Sequence, residues 1–185
     1  MSTVFIFHGI GGGPSENWLP WLKQKLEAGG HRAIVPTFPH TDQPLLSEWW
    51  EYFGNFRADV DQDTILVGHS LGGAFALRLL EKLKAPINSC FLIAPVSGPL
   101  ANTFDPLMKT FSHPPFDWPT IRDHCRKFFI FHSDNDPYIP LSDSERLAEN
   151  LKAELTVIPS GGHLNQTAGF TTFPLLLEKI HETLS

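Results

Sequence analysis

The sequence predicts an α/β fold, a doubly wound, mostly parallel six-stranded sheet with helices on both faces, and three observations predict it. Six short apolar runs recur along the chain, helical patterns fill most of the intervals between them, and a serine flanked by glycines follows the third run directly. Strand and helix in alternation build a parallel sheet through right-handed crossovers, which lay helices over both of its faces. In such sheets the reactive groups gather just beyond the carboxyl ends of the strands.

The apolar runs are Val4–Phe7, Ala33–Val35, Thr64–Val67, Cys90–Ala94, Phe128–Phe131 and Leu155–Ile158. Each is nearly all apolar, the composition of a strand covered on both faces. A first helix is expected from Leu19 to Ala28, ended by Gly29-Gly30. A second starts near Pro44, a residue tolerated in a first turn, and carries Trp49, Trp50 and Phe53. The third follows Ser70, with Leu71, Phe75, Leu79 and Leu83 on one face. Ser142-Asp-Ser-Glu145 has the S-x-x-E form of a capping box and is expected to open a helix that turns Leu147, Ala148 and Leu151 inward. The last helix has Pro174 near its start and a stripe of Phe173, Leu177, Ile180 and Leu184. These stripes read as core.

A chain of 185 residues accommodates one domain spanning 1–185, and folding at that size buries roughly 70% of the unfolded surface. Its 42% apolar content is globular, its prolines are dispersed, and neither repeat nor linker interrupts it. A net charge of −6 without a Lys/Arg cluster argues against a nucleic-acid surface and against electrostatic docking on acidic membranes. Small neutral substrates suit this balance. Cys90 and Cys125 make no disulfide framework, and no cysteine has metal-ligand spacing. The N-terminus shows no basic region with a cleavage site, and no stretch approaches the roughly 20 apolar residues of a membrane span, so a cytoplasmic protein is expected.

Gly68-His69-Ser70-Leu71-Gly72 carries the chemistry. G-x-S-x-G after a strand is the nucleophile elbow, in which a sharp turn into a helix lifts the serine above the strand end. A base must then come from a loop beyond another strand. Of nine histidines, His163 fits best, in Pro159-Ser-Gly-Gly-His163 after the last run. His132 is the alternative, because carboxylates follow it; His69 is the serine's neighbour and should point away from it, and His8 buttresses its loop. The acid should fall between serine and base in sequence. Ser133-Asp-Asn-Asp-Pro137 offers Asp136, held rigid by the following proline, and Asp134, which would more naturally close an Asx-turn. Oxyanion donors are expected at the Leu71 N–H and, from the loop His8-Gly9-Ile10-Gly-Gly-Gly13, the Ile10 N–H. That glycine run lacks the Gly-Lys-Ser/Thr of a phosphate cradle.

Together, His8-Gly9, Gly68-His-Ser-Leu-Gly-Gly73, Ser133-Asp-Asn-Asp-Pro137 and Gly161-Gly-His163 resemble the α/β-hydrolase superfamily, and within it the small serine hydrolases. The resemblance spans nearly the whole chain. It implies a six-stranded core, a catalytic triad of Ser70, Asp136 and His163, and cleavage of esters or peptides. An L-x-C-x-E segment is absent, since Phe91-Leu92 follows Cys90 and Arg126-Lys127 follows Cys125, so the sequence gives no support for a protein partner that reads such a segment.

The expected activity is that of a serine hydrolase, carboxylesterase-like and independent of metals and cofactors, acting on a small ester, thioester or amide through an acyl-enzyme. Two other readings use the same residues: an acyltransferase, and a catalytically silent hydrolase fold that serves as a binding module. The segment 97–120 exceeds a bare helical crossover. Its Phe104, Met108, Phe111, Phe116 and Trp118 would either cap the site as a substrate pocket or pack as a helix on the sheet.

Overall fold

The computed structural model describes residues 1–100 and 102–184. Six strands, β1 (Thr3–Phe7), β2 (Arg32–Ile34), β3 (Ile65–His69), β4 (Ile87–Ile93), β5 (Cys125–Ser133) and β6 (Glu154–Ile158), form one sheet in the order β2-β1-β3-β4-β5-β6. All five pairings are parallel. The chain winds outward from β1 to β2, then returns past β1 to β3 and proceeds the other way. The crossover direction therefore reverses between β1 and β3, and a crevice opens there above their carboxyl ends.

Among the described residues seven α-helices cover the sheet: α1 (Leu19–Ala28), α2 (Leu46–Phe53), α3 (Leu71–Leu80), α4 (Asp105–Ser112), α5 (Trp118–Asp123), α6 (Leu141–Leu151) and α7 (Pro174–His181). Alternation along the strands divides the core in two. Phe5, Phe7, Leu66, Cys90, Leu92 and Ile130 face the layer of α2 to α6, while Val4, Ile6, Val67, Phe91, Ile93 and Phe131 face α1 and α7. The interior strands carry apolar runs, Phe91–Ile93 in β4 and Phe128–Phe131 in β5, where both of their faces are covered.

Several expectations are corrected. β6 is an edge strand and Val157 is 42% exposed, so its apolar run does not signify cover on both faces. α6 opens at Leu141 after Pro140 with no side-chain cap; Ser142 lies inside its first turn, and the capping box is not made. α3 ends at Leu80, short of Leu83. In α7 Leu176 takes the buried position rather than Leu177, and Leu184 lies beyond the helix. Residue 101, inside the candidate cap segment, lies outside the described residues. The segment holds α4 and the first half of α5 joined by loops, and both helices pack against α3. Among the described residues no helix is long and apolar enough to cross a membrane.

Candidate active site

β3 ends at His69, and the chain turns into α3 through Ser70 with φ 54° and ψ −118°, a left-handed conformation that costs a non-glycine residue about 1–3 kcal/mol. Its peptide groups are pinned: Ser70 N–H donates to Ile93 O at 2.9 Å, while Gly73 N–H and Val96 N–H donate to Ser70 O at 3.0 and 3.1 Å. The turn is so tight that a Cβ on Gly68 would stand 2.5 Å from Gly72 O, and one on Gly72 would stand 2.4 Å from Phe7 O. Glycine there is a steric requirement, and it lets α3 press against β1.

The loop after β5 clasps the loop after β6 residue by residue. Ser133 Oγ donates to Gly162 O, Asp134 Oδ1 accepts from Ser160 N–H at 2.7 Å, and Asn135 Oδ1 accepts from Gly162 N–H at 2.7 Å. Asp136 Oδ2 then meets His163 Nδ1 at 2.7 Å. Asp136 Oδ1 also accepts from Tyr138 N–H at 2.8 Å and Ile139 N–H at 3.1 Å. The Asx-turn expected of Asp134 is therefore made by Asp136, and Asp134 reaches across to the histidine loop instead. Burial works to raise the Asp136 carboxyl, but the His163 hydrogen bond and charge, with the two amides, hold it below the usual carboxylate range. As a carboxylate it fixes the proton on His163 Nδ1 and leaves Nε2 as the basic nitrogen.

Three further histidines, His132, His69 and His8, are buried and hold backbone in place. His132 is buried, donating from Nε2 to Ile139 O at 3.0 Å and accepting from Ser144 Oγ at Nδ1 at 2.8 Å; burial lowers its pKa. It braces the Asp136 loop and does not line the cavity. His69 donates from Nε2 to His163 O at 2.9 Å and so holds the backbone of His163. Burial, with the neighbouring His163 ring, pushes its pKa down to about 3. His8 Nδ1 donates to Gly9 O at 2.9 Å, and its ring packs edge-on against Phe38 and Trp49, buttressing the loop.

Ser70 and His163 line one cavity of about 300 Å³ above β1 and β3. Ser70 Oγ has no hydrogen-bond partner among the described residues, and such bonds commonly tighten only around substrate. Ile10, from the loop after β1, lines the same cavity, and Leu71 opens α3 beside Ser70. Neither backbone N–H has a protein acceptor among the described residues. Phe104 and Met108 reach the cavity wall, joined by Leu100, Tyr138 and Ile139, which sequence reasoning did not single out. Phe111, Phe116 and Trp118 do not reach it. Phe111 is fully buried against Trp49, and Phe116 lies under the Arg78 guanidinium, 3.9 Å away, and beside Trp118. Nor did the sequence point to Asn17 and Gln166, which also line the cavity. Among the described residues no cluster of three or more His, Cys, Asp or Glu side chains is arranged for a metal ion.

An elbow serine, a carboxylate-bound imidazole and a six-stranded parallel sheet define a small serine hydrolase of the α/β-hydrolase type. The chain belongs to the serine hydrolase family, whose model matches residues 4–182. It is 29% identical over 177 residues to the putative hydrolase YdeN of Bacillus subtilis, covering 95% of this chain and 92% of that one. Serine hydrolase RBBP9 of Rattus norvegicus is 26% identical over 169 residues, covering 90% and 89%. The crystal structure of the B. subtilis ydeN gene product superposes with a TM-score of 0.94 over 99% of this chain and 98% of that chain, at 29% identity. Est1E from Butyrivibrio proteoclasticus shares the fold, with a TM-score of 0.75 at 17% identity over 98% and 88% of the two chains.

Proposed function

We propose that this hydrolase cleaves small carboxylic esters, and by the same chemistry thioesters or amides, through an acyl-enzyme on Ser70. The observation that carries the reading is the 2.7 Å contact of the buried Asp136 with Nδ1 of His163, which lines one cavity with Ser70. Ser70 Oγ attacks the substrate carbonyl as His163 Nε2 takes its proton, and Asp136 stabilises the imidazolium. The Leu71 and Ile10 N–H groups receive the oxyanion, as donors that no protein acceptor competes for. His163 returns the proton to the leaving group, and water, activated by the same ring, releases the acid. The chemistry calls on side chains and backbone only. Two buried free thiols, Cys90 and Cys125, suit a reducing cytoplasmic compartment.

The test is Ser70→Ala. It should abolish both hydrolysis of p-nitrophenyl butyrate and labelling by a fluorophosphonate, with the circular dichroism spectrum unchanged. A folded variant that retains wild-type activity would refute the assignment. A wild type that is labelled but releases acyl groups only to added alcohols or amines would make the protein an acyltransferase, and one neither labelled nor active a binding module.

A further inference from the structure

The cavity has two unlike walls. One is apolar, formed by Leu100, Phe104, Met108 and Ile139; the other is polar, formed by Glu16, Asn17, Asn165 and Gln166. The polar wall has a defined orientation. Gln166 Oε1 accepts from Asn17 N–H at 3.3 Å, Asn17 Oδ1 accepts from Gln166 N–H at 2.9 Å, and Asn165 Oδ1 accepts from Ala168 N–H at 3.1 Å. With all three amide oxygens engaged by backbone, the three NH₂ groups are left as donors, and none has a protein acceptor among the described residues. Beside them the Glu16 carboxylate offers an acceptor that disfavours a second anion. A hydroxyl group both donates and accepts, so several hydroxyls match this wall where a carboxylate or phosphate does not.

We infer that the preferred substrate joins a short apolar acyl group to an uncharged polyhydroxylated alcohol; the inference rests on the acyl-enzyme reading above. The direction of proton transfer fixes which half lies where. His163 must protonate the leaving oxygen, and Asn165, Gln166 and Thr167, which follow it after Leu164, line the cavity beside it, so the alcohol lies against the polar wall. The acyl chain then takes the apolar wall, where removal from water favours it. As the Ser70 Oγ–carbonyl bond forms and the carbonyl–alkoxy bond breaks, the serine proton passes through His163 to the alkoxy oxygen. The polyol departs neutral, and water cleaves the acyl ester.

Propyl butyrate and glyceryl monobutyrate share an acyl group and a three-carbon alcohol and differ by two hydroxyls. Acid release by the full-length enzyme should give a kcat/KM about tenfold higher for the glyceryl ester, the worth of one or two neutral hydrogen bonds. Gln166→Glu keeps the oxygen that Asn17 N–H needs and removes the donor, and should bring that ratio toward one. Glu16→Gln should raise the rate on O-butyryl lactate, whose alcohol carries a carboxylate, relative to the glyceryl ester. A fluorophosphonate-reactive wild type that cleaves propyl butyrate as well as the glyceryl ester overturns the inference and leaves the hydrolase reading intact. Absence of both labelling and ester cleavage overturns the two together.

Discussion

His69 ties the stability of the fold to pH. Its ring is nearly inaccessible, its Nε2 proton is committed to His163 O, and Nδ1 has no partner among the described residues, so the folded protein resists a second proton on the ring. The charged and titratable groups around it are His163, His8 and Asp136. An unfolded histidine titrates near 6.5, whereas the folded ring does so at about 3. Between these values the unfolded chain binds a proton that the folded chain refuses. The stability conferred by neutral His69 is therefore complete above about pH 6.5 and declines as pH falls, levelling off only near the folded value. At about 1.36 kcal/mol per pH unit, moving from pH 7.5 to 5 removes about 2 kcal/mol. His69→Gln can still donate to His163 O but cannot titrate. Urea unfolding followed by tryptophan fluorescence at both pH values should show the wild type losing about 2 kcal/mol more than the variant, with the other histidines cancelling in the difference. Parallel losses in the two proteins would refute the argument.

Three further outcomes are expected. Asp134→Ala should lower kcat by about 10- to 100-fold by loosening the His163 loop, and Asp134→Asn should restore it, because an amide oxygen still accepts from Ser160 N–H; an Asn variant as impaired as the Ala variant would mean that the charge, not the clasp, matters. Gly72→Ala would put a Cβ 2.4 Å from Phe7 O, backbone that cannot yield without parting α3 from β1, so Tm should fall by about 6–12 °C. Thermal melts decide this, and a shift under about 2 °C would contradict it. Met108→Ala should penalise longer acyl chains selectively, by up to about 0.8 kcal/mol per CH₂, whereas Phe111→Ala should cost about 3–5 kcal/mol of stability with the chain-length profile unaltered. Rates across C2 to C8 esters, measured beside unfolding curves, separate the two.

The strands and most of the helices were legible in the sequence because their signals are local. A continuous apolar run, a glycine pair after a helix and a serine between glycines each act within a few residues. The elbow is the clearest case, since the clash that forbids a side chain at Gly68 arises within the turn itself, against Gly72 O. The loops carrying Ser70, Asp136 and His163 could be named from the elbow motif and from their places after strands, because parallel strands bring their carboxyl ends to one edge.

What the sequence could not give depends on distance through space. Asp134 and Asp136 have the same chemistry two positions apart, and only the packing of β6 beside β5 decides that one meets Ser160 and the other His163. Phe104, Phe111 and Phe116 are alike in composition, yet α4 and α5 pack on α3 so that Phe104 faces the cavity while the other two join the core. Asn17 and Gln166 lie 149 residues apart and carry no motif. Their pairing exists because the loop entering α1 and the loop leaving β6 converge over the switch point of the sheet. The chain by itself thus determined which segments become strands and where its reactive loops must lie, through short-range sterics and apolar periodicity. The tertiary structure alone decided which side chains of those loops and helices face one another, because that choice depends on the packing of segments far apart in sequence.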